Sequence, residues 1–238
     1  MIDLHCHILP DIDDGAQDVR TALKMAEIAA KDNIEIIVAT PHILDLPLPI
    51  KKIREKTLYL NNRLSGMGLN VKILPGAEVS PFACAQIKNI TDYTLNASRY
   101  LLLEFPYVNI PDYLTDILFN LTANGITPIL GHPERNAYIM EKPWKIEKFL
   151  SNDVLLQLTA GSLTGLFGKD IQNCATWLLE NEQVDIVASD AHSAKRRPPI
   201  LSEAFDIVAD TLDQETAKKL FIKYPRAIVA NKKVLSST

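Results

Sequence analysis

The sequence predicts an α/β fold in which a parallel sheet is closed, or nearly closed, into a barrel. Strand-like and helix-like runs alternate from one end of the chain to the other, with seven strand segments mostly separated by helices. The strand segments are near-continuous apolar runs, as in parallel sheets covered on both faces. Most of them end in a histidine or a carboxylate, and barrels of this kind form their sites at the carboxyl ends of the strands. A chain of 238 residues suits one such domain, 1–238, and no linker, repeat or low-complexity block divides it.

The first strand holds Ile2, Leu4 and Cys6 alternating with Asp3, His5 and His7. A side-chain period of two points both imidazoles the same way, and an acidic turn, Asp11 to Gly15, follows them. Val19, Ala22, Leu23, Ala26 and Ala30 mark one face of a helix, and Ile34 to Ala39 is a β-branched run of buried-strand length ending in Thr40-Pro41-His42. An apolar, Pro-punctuated lip, Leu44 to Ile50, leads into a charged helix from about Lys51 to Ser65. Val71 to Leu74 is a strand ending in Gly76-Ala77-Glu78, and Ser80 to Arg99 reads as a short helix and an irregular return.

Tyr100 to Leu103 is a strand ending in Glu104, and Pro111 suits the first turn of a helix whose stripe is Leu114, Ile117, Leu118 and Leu121. Thr127 to Leu130 ends in Gly131-His132-Pro133-Glu134-Arg135, with a helix expected around Trp144 to Leu150. Val154 to Leu158 is a strand without an obvious ligand, followed by a Gly-, Ser- and Thr-rich stretch, Thr159 to Gly168. A helix over Ile171 to Asn181 precedes the strand Val184 to Ala188, which ends in Ser189-Asp190-Ala191-His192. Helices bearing Leu201, Ala204, Phe205, Val208 and Leu212, and then Gln214 to Phe221, complete the pattern.

Composition narrows the function. A formal charge of -4 without a basic block argues against a nucleic-acid surface. No apolar run approaches the roughly 20 residues of a membrane span, so no membrane insertion is expected. The start lacks a basic leader and an apolar signal core, so the chain is expected to begin as written, in the cytoplasm. Cys6, Cys84 and Cys174 form no paired motif and are expected to act as small apolar residues.

Nine candidate ligands stand at strand ends: His5, His7, Asp14, His42, Glu78, Glu104, His132, Asp190 and His192. One such residue alone would be explained by capping a helix or bonding a loop. Nine converging on one mouth would not, and their four carboxylates would repel one another unless cations intervened. Mixed imidazole and carboxylate ligands suit Mn²⁺, Fe²⁺ or Zn²⁺. The five imidazoles argue against a site of Mg²⁺ or Ca²⁺ alone. The number of ligands implies two divalent ions, and three fit better.

As an ordered set, His5-Cys6-His7, Asp13-Asp14-Gly15, Thr40-Pro41-His42, Gly76-Ala77-Glu78-Val79, Glu104, His132-Pro133-Glu134-Arg135 and Ser189-Asp190-Ala191-His192 resemble the polymerase and histidinol phosphatase (PHP) superfamily. Within it the chain is similar to the bacterial metal-dependent protein-tyrosine phosphatases encoded with capsule and exopolysaccharide genes. Arg197-Pro198-Pro199 and Pro225-Arg226 extend the likeness to about Asn231. The resemblance implies a distorted seven-stranded barrel, a (β/α)7 relative of the TIM barrel, holding three metals, Mn²⁺ foremost. It implies that His5, His7, Glu78 and Asp190 hold one ion, that Glu78 bridges to a second held by His42 and His132, and that Asp14, Glu104 and His192 hold a third. The implied partner is an autophosphorylating tyrosine kinase that controls polysaccharide synthesis.

Arg135 and Arg197 each follow a candidate ligand histidine by a few residues, and guanidinium groups bind phosphate oxygens bidentately. Lys195 and Arg196 are also candidates; the resemblance selects Arg135 and Arg197. The expected reaction is in-line attack on phosphorus by a metal-bridging hydroxide. A thiolate route needs Cys followed six positions later by Arg, whereas this chain has Ile12, Ile90 and Glu180 at those positions. The competing expectations are a histidinol-phosphate phosphatase and a metal-binding module without turnover.

Overall fold

The computed structural model describes residues 1–45, 48–150 and 153–234. Among them, nine short strands form two sheets in which every pairing is parallel. One sheet runs β1 (Ile2–Cys6), β2 (Ile36–Ala39), β4 (Lys72–Pro75). The other runs β3 (His42–Ile43), β5 (Glu78–Val79), β6 (Tyr100–Glu104), β7 (Thr127–Gly131), β8 (Leu155–Thr159), β9 (Ile186–Ala188). The predicted strands beginning at Ile34 and Val71 are each followed by a further two-residue strand. The first is broken at Thr40-Pro41, where Pro41 has no N–H to give a ladder, and the second at Gly76-Ala77. Beyond the two sheets, Asp190 donates its N–H to His5 O at 2.8 Å and His7 donates to Ala191 O at 2.8 Å, tying the end of β9 to β1.

The apolar residues sort by the two-residue period of the strands. Tyr100, Leu102, Ile129, Leu155 and Ile186 pack with Ile2, Leu4, Val38 and Leu74 in one core. Leu101, Leu103, Leu130, Leu156 and Val187 face the other way, into a larger core shared with the helices. The first strand departs from simple alternation. Ile2 and Leu4 belong to the smaller core but Cys6 to the larger one, because the pairing with β2 slips between Asp3 and Cys6. The N–H of His5 is turned to the Asp3 carboxylate at 3.3 Å.

The helices follow from caps and stripes. In α1 (Val19–Lys31) the N-cap Asp18 accepts from Thr21 N at 2.7 Å, and Ala22, Met25, Ala26 and Ala29 are buried. In α2 (Ile50–Gly66) the buried stripe is Ile53, Thr57, Leu60 and Leu64. The short helix and irregular return expected over Ser80 to Arg99 are α3 (Pro81–Cys84) and two 3-10 turns, Ile90–Tyr93 and Leu95–Ala97. Pro111 lies just ahead of α4 (Leu114–Ala123) rather than within it. The helix expected around Trp144 is a 3-10 stretch, Pro143–Phe149, preceded by α5 (Ala137–Glu141), whose N-cap Asn136 accepts from Tyr138 N and Ile139 N. Next come α6 (Ala160–Leu163), α7 (Lys169–Glu180), α8 (Ser202–Thr211) and α9 (Gln214–Lys218).

A π stretch, Lys219–Lys223, joins α9 to α10 (Tyr224–Val229), where Pro225 supplies no N–H to a regular ladder. The last described residues are held by Tyr100, whose hydroxyl donates to Lys232 O at 2.8 Å and accepts from Val234 N at 2.9 Å. No helix among the described residues is long and apolar enough to cross a membrane. All three cysteines are free and buried in the larger core, as expected for small apolar side chains. In the apolar lip Leu44 is exposed while Leu48 packs on the core, and Leu46 lies outside the described residues.

Candidate metal centre

All nine candidate ligands gather where the strands end. His5 and His7 bring their Nε2 atoms within 3.1 Å of each other. Both face Glu78 Oε2, at 3.3 and 3.4 Å, and Asp190 Oδ1, at 3.4 and 3.5 Å. Glu78 Oε1 lies 2.8 Å from His132 Nε2, and its Oε2 lies 2.9 Å from His42 Nδ1. His42 Nδ1 is also 4.0 Å from Glu104 Oε2. Asp14 Oδ1 stands 3.4 Å from His42 Nε2 and 3.5 Å from His192 Nε2. The side chains therefore fall into overlapping groups. Asp14 sits with His7, His42 and His192, whereas Glu104 sits with His42 and Glu78.

Local backbone features bring these atoms together. His132 and Asp190 adopt left-handed conformations, with φ of 43° and 50°, sparsely populated for non-glycine residues and characteristic of over-determined functional turns. Each is held by a strand-end hydrogen bond, His132 N to Gln157 O and Asp190 N to His5 O, both 2.8 Å. The acidic turn closes on the first strand through Ala16 N to His7 O at 3.0 Å. A Cβ on Gly15 would lie 2.1 Å from that same oxygen, so only glycine fits.

Two side chains with no place among the candidate ligands, and one backbone carbonyl, aim the imidazoles. His5 Nδ1 meets Gln157 Oε1 at 2.8 Å, His7 Nδ1 meets Asp13 Oδ2 at 2.7 Å, and His192 Nδ1 meets Asp190 O at 3.0 Å. Each acceptor takes the Nδ1 proton, so that a neutral ring turns its Nε2 lone pair to the cluster, the arrangement that orients metal-binding histidines. Gln157 lies on the strand that carried no ligand in sequence; a lone amide within Val154 to Leu158 was its signal, since buried polar groups require partners. Asp3, also buried, accepts from Ser189 N at 2.9 Å and Ser189 Oγ at 2.5 Å, and so sets the turn before Asp190.

Imidazoles and carboxylates here are coupled: burial pulls His5, His7 and His42 down, but Glu78, with Asp190 and Asp13, outweighs it and raises all three. Burial alone would raise the carboxyl of Glu78, but His5, His132 and His42 outweigh it and hold the pKa well below the usual range. Asp190 is likewise held down against its burial by His5, His7, His132 and Arg197. Burial and the neighbouring His7 push His192 to about 3, leaving its imidazole neutral at pH 7, as ligation requires. His42 Nδ1 and Glu78 Oε2, although close, are misaligned for a hydrogen bond, and neither buried atom has a hydrogen-bond partner among the described residues. Buried acceptors facing one another in this way fit divalent cations.

Arg135 and Arg197 converge on Asp190. Arg135 Nη1 and Arg197 Nη2 each donate to Asp190 Oδ2 at 2.5 Å, and Arg197 Nη2 also reaches Asp190 O at 2.9 Å. Asp190 thus turns one oxygen to the imidazoles and the other to the guanidiniums. Tyr107 stacks on His132, centroids 5.5 Å apart and planes 7° apart, and Arg135 lies over its ring.

A family profile for capsular polysaccharide synthesis proteins, CpsB/CapC, matches residues 1–230. Tyrosine-protein phosphatase YwqE of Bacillus subtilis (strain 168) is 34% identical over 222 residues, covering 90% of this chain and 86% of that protein. Tyrosine-protein phosphatase CpsB of Streptococcus pneumoniae is 29% identical over 238 residues, covering 96% and 98%. A solved structure from work on YwqE and CpsB, described as metal-dependent tyrosine phosphatases, superimposes with a TM-score of 0.92 at 32% identity, covering 99% of this chain and 96% of that one. The likeness spans both ends of the strand-end cluster, from His5 to His192, and the chain belongs to the CpsB/CapC family of capsular polysaccharide synthesis.

Proposed function

We propose that this protein is a metal-dependent protein-tyrosine phosphatase, a single domain over residues 1–238 acting in the cytoplasm. The observation that carries the reading is the cluster itself, with the imidazoles of His5 and His7 held so that Nε2 faces the two buried carboxylates of Glu78 and Asp190. The two sheets act as one distorted seven-membered (β/α) barrel, β2 with β3 and β4 with β5 each counting as one broken strand. The hydrogen bonds between β1 and the end of β9 support that closure.

In this reading His5, His7, Glu78 and Asp190 would hold one cation, and His42, His132 and Glu104, which stand around Glu78, a second. Asp14 and His192, beside His7 and His42, would hold a third. Mn²⁺ is the metal proposed, ahead of Fe²⁺ or Zn²⁺, because the donors are mixed nitrogen and oxygen without thiolate. When bound, such cations act as Lewis acids and bring a water toward the pKa at which it attacks phosphorus.

The chain's own residues do the rest. Arg135 and Arg197 offer guanidinium donors to the phosphate oxygens, positioned by Asp190 in the free protein. Gln157 and Asp13 keep the imidazoles in the ligating tautomer. A phenolate leaving group, with a pKa of about 10, needs less protonation than an alkoxide, so a dedicated general acid is not demanded. The proposed substrate is phosphotyrosine on a protein, in particular the tyrosine kinase of the capsule or exopolysaccharide machinery. This rests on the likeness to YwqE and CpsB, both called tyrosine phosphatases.

The test compares turnover of a phosphotyrosine peptide with that of histidinol phosphate by the Mn²⁺-loaded protein. A kcat/KM at least about a hundredfold higher on the peptide, equivalent to roughly 2.7 kcal/mol, is the expected result. Preference for histidinol phosphate would transfer the chain to that activity, and no turnover of either would make it a metal-binding module.

A further inference from the structure

The Gly-, Ser- and Thr-rich stretch after β8 holds none of the candidate ligands, yet it is tied to the centre. The fully buried carboxylate of Glu134, next to Arg135, accepts from Thr159 N at 2.9 Å and from Ser162 Oγ at 2.7 Å. The turn that carries Arg135 is thereby fastened to α6. After α6 the chain folds back, with Leu166 N donating to Gly161 O at 2.9 Å and Gly168 N to Gly165 O at 3.1 Å. A Cβ at Gly161 would come within 3.0 Å of Phe167 Cε2, so the bare backbone there makes room for that ring.

The ring so placed meets both arginines. Its centroid lies 4.7 Å from Arg135 Cζ and 5.5 Å from Arg197 Cζ. Two guanidiniums brought together repel each other, and an aromatic face attracts both through its quadrupole. Arg135 is additionally 4.9 Å from the Tyr107 centroid, so it touches two rings, whereas Phe167 supplies the aromatic contact of Arg197 among the described residues. Asp190 also gathers the arginines, but through a carboxylate oxygen on the side where phosphate oxygens would compete for the same donors. The ring faces no such competition.

We propose that Phe167 is a positioning residue that holds Arg135 and Arg197 side by side for the substrate's phosphate, and that the loop from Thr159 to Gly168 exists to place it. The inference rests on the proposal that the two arginines bind phosphate.

The test uses the Mn²⁺-loaded full chain with a small aryl phosphate, and inorganic phosphate as competitive inhibitor. Phe167→Leu should retain metal content and melting temperature, keep kcat within about threefold, and raise both KM and the phosphate inhibition constant about tenfold. Phe167→Tyr should restore both to within about twofold, because the face is kept. Phe167→Met, which preserves bulk without a ring, makes the same comparison if the leucine variant folds poorly. Unchanged phosphate inhibition in the Leu and Met variants, with Arg197→Ala weakening it, would overturn the role of the ring. Loss of metal or of folding shared equally by the Leu, Met and Tyr variants would make Phe167 a packing residue. If Arg135→Ala and Arg197→Ala both leave phosphate inhibition unchanged, the phosphate-binding reading fails, and the positioning role fails with it.

Discussion

The inner and outer halves of the centre use the same residue types under different conditions. His5, His7, Glu78 and Asp190 have side chains no more than 2% exposed. Both inner imidazoles are backed by a side-chain acceptor, Gln157 or Asp13. In the outer half the side chain of Asp14 is 70% exposed, those of His42, Glu104 and His192 are 17%, 14% and 10% exposed, and Asp14 has no such support. Preorganised donors in a dry pocket bind a cation without reorganising, whereas exposed ones must first be ordered. The inner half should therefore retain its metal where the outer half exchanges it with solvent and opens to substrate.

The sharpest way to break that contrast is to remove the carboxylate shared by both halves. Glu78→Ala should lower kcat/KM on an aryl phosphate on the order of a thousandfold or more and reduce bound metal, read by kinetics and elemental analysis. Arg197→Ala should cost about a hundredfold, with metal content unchanged, since it removes transition-state donors and no ligand. Gln157→Leu should weaken the tightest metal about 10- to 100-fold by freeing the His5 ring, measured by competition with a chelator. Asp14→Asn should instead lower the stoichiometry by one weakly held ion and leave the tightest affinity unaltered. Such a pair of results would establish that burial and support, rather than ligand type, separate the two halves.

The smallest effect concerns the thiols. Burial pushes Cys84 up to about 11 and Cys174 up to about 12. A thiol stays protonated below its pKa, so raising the pKa removes thiolate at pH 8 instead of supplying it. Iodoacetamide at pH 8 should therefore leave activity within about twofold of the untreated protein.

These contrasts also mark what the sequence reveals. The strand ends are legible because buried parallel strands are apolar runs, and a His or Glu closing such a run stands out, as at His132 and Glu104. Elements whose form depends on distant partners are not. Gln157 shows only as a lone amide in an apolar strand, and its role is not legible until His5, far away in the chain, is placed against it. The slip at Asp3 depends on where its carboxylate meets Ser189 and His5, and the breaks before His42 and Glu78 depend on their neighbouring strands. Ligand spacing along a chain does not fix which face of the barrel mouth a side chain occupies. Phe167 gave no signal of its own, being one aromatic in a loop whose glycines were the visible feature.

The central claim is that bound divalent cations make this centre a phosphatase. Its most direct test is hydrolysis of a phosphotyrosine peptide by protein stripped of metal and then reloaded with Mn²⁺, Zn²⁺ or Mg²⁺, with His42→Ala treated in parallel. No turnover is expected after stripping, with recovery by Mn²⁺ above that by Mg²⁺ and little recovery in the variant. Full activity in the stripped protein, or equal recovery in His42→Ala, would contradict it.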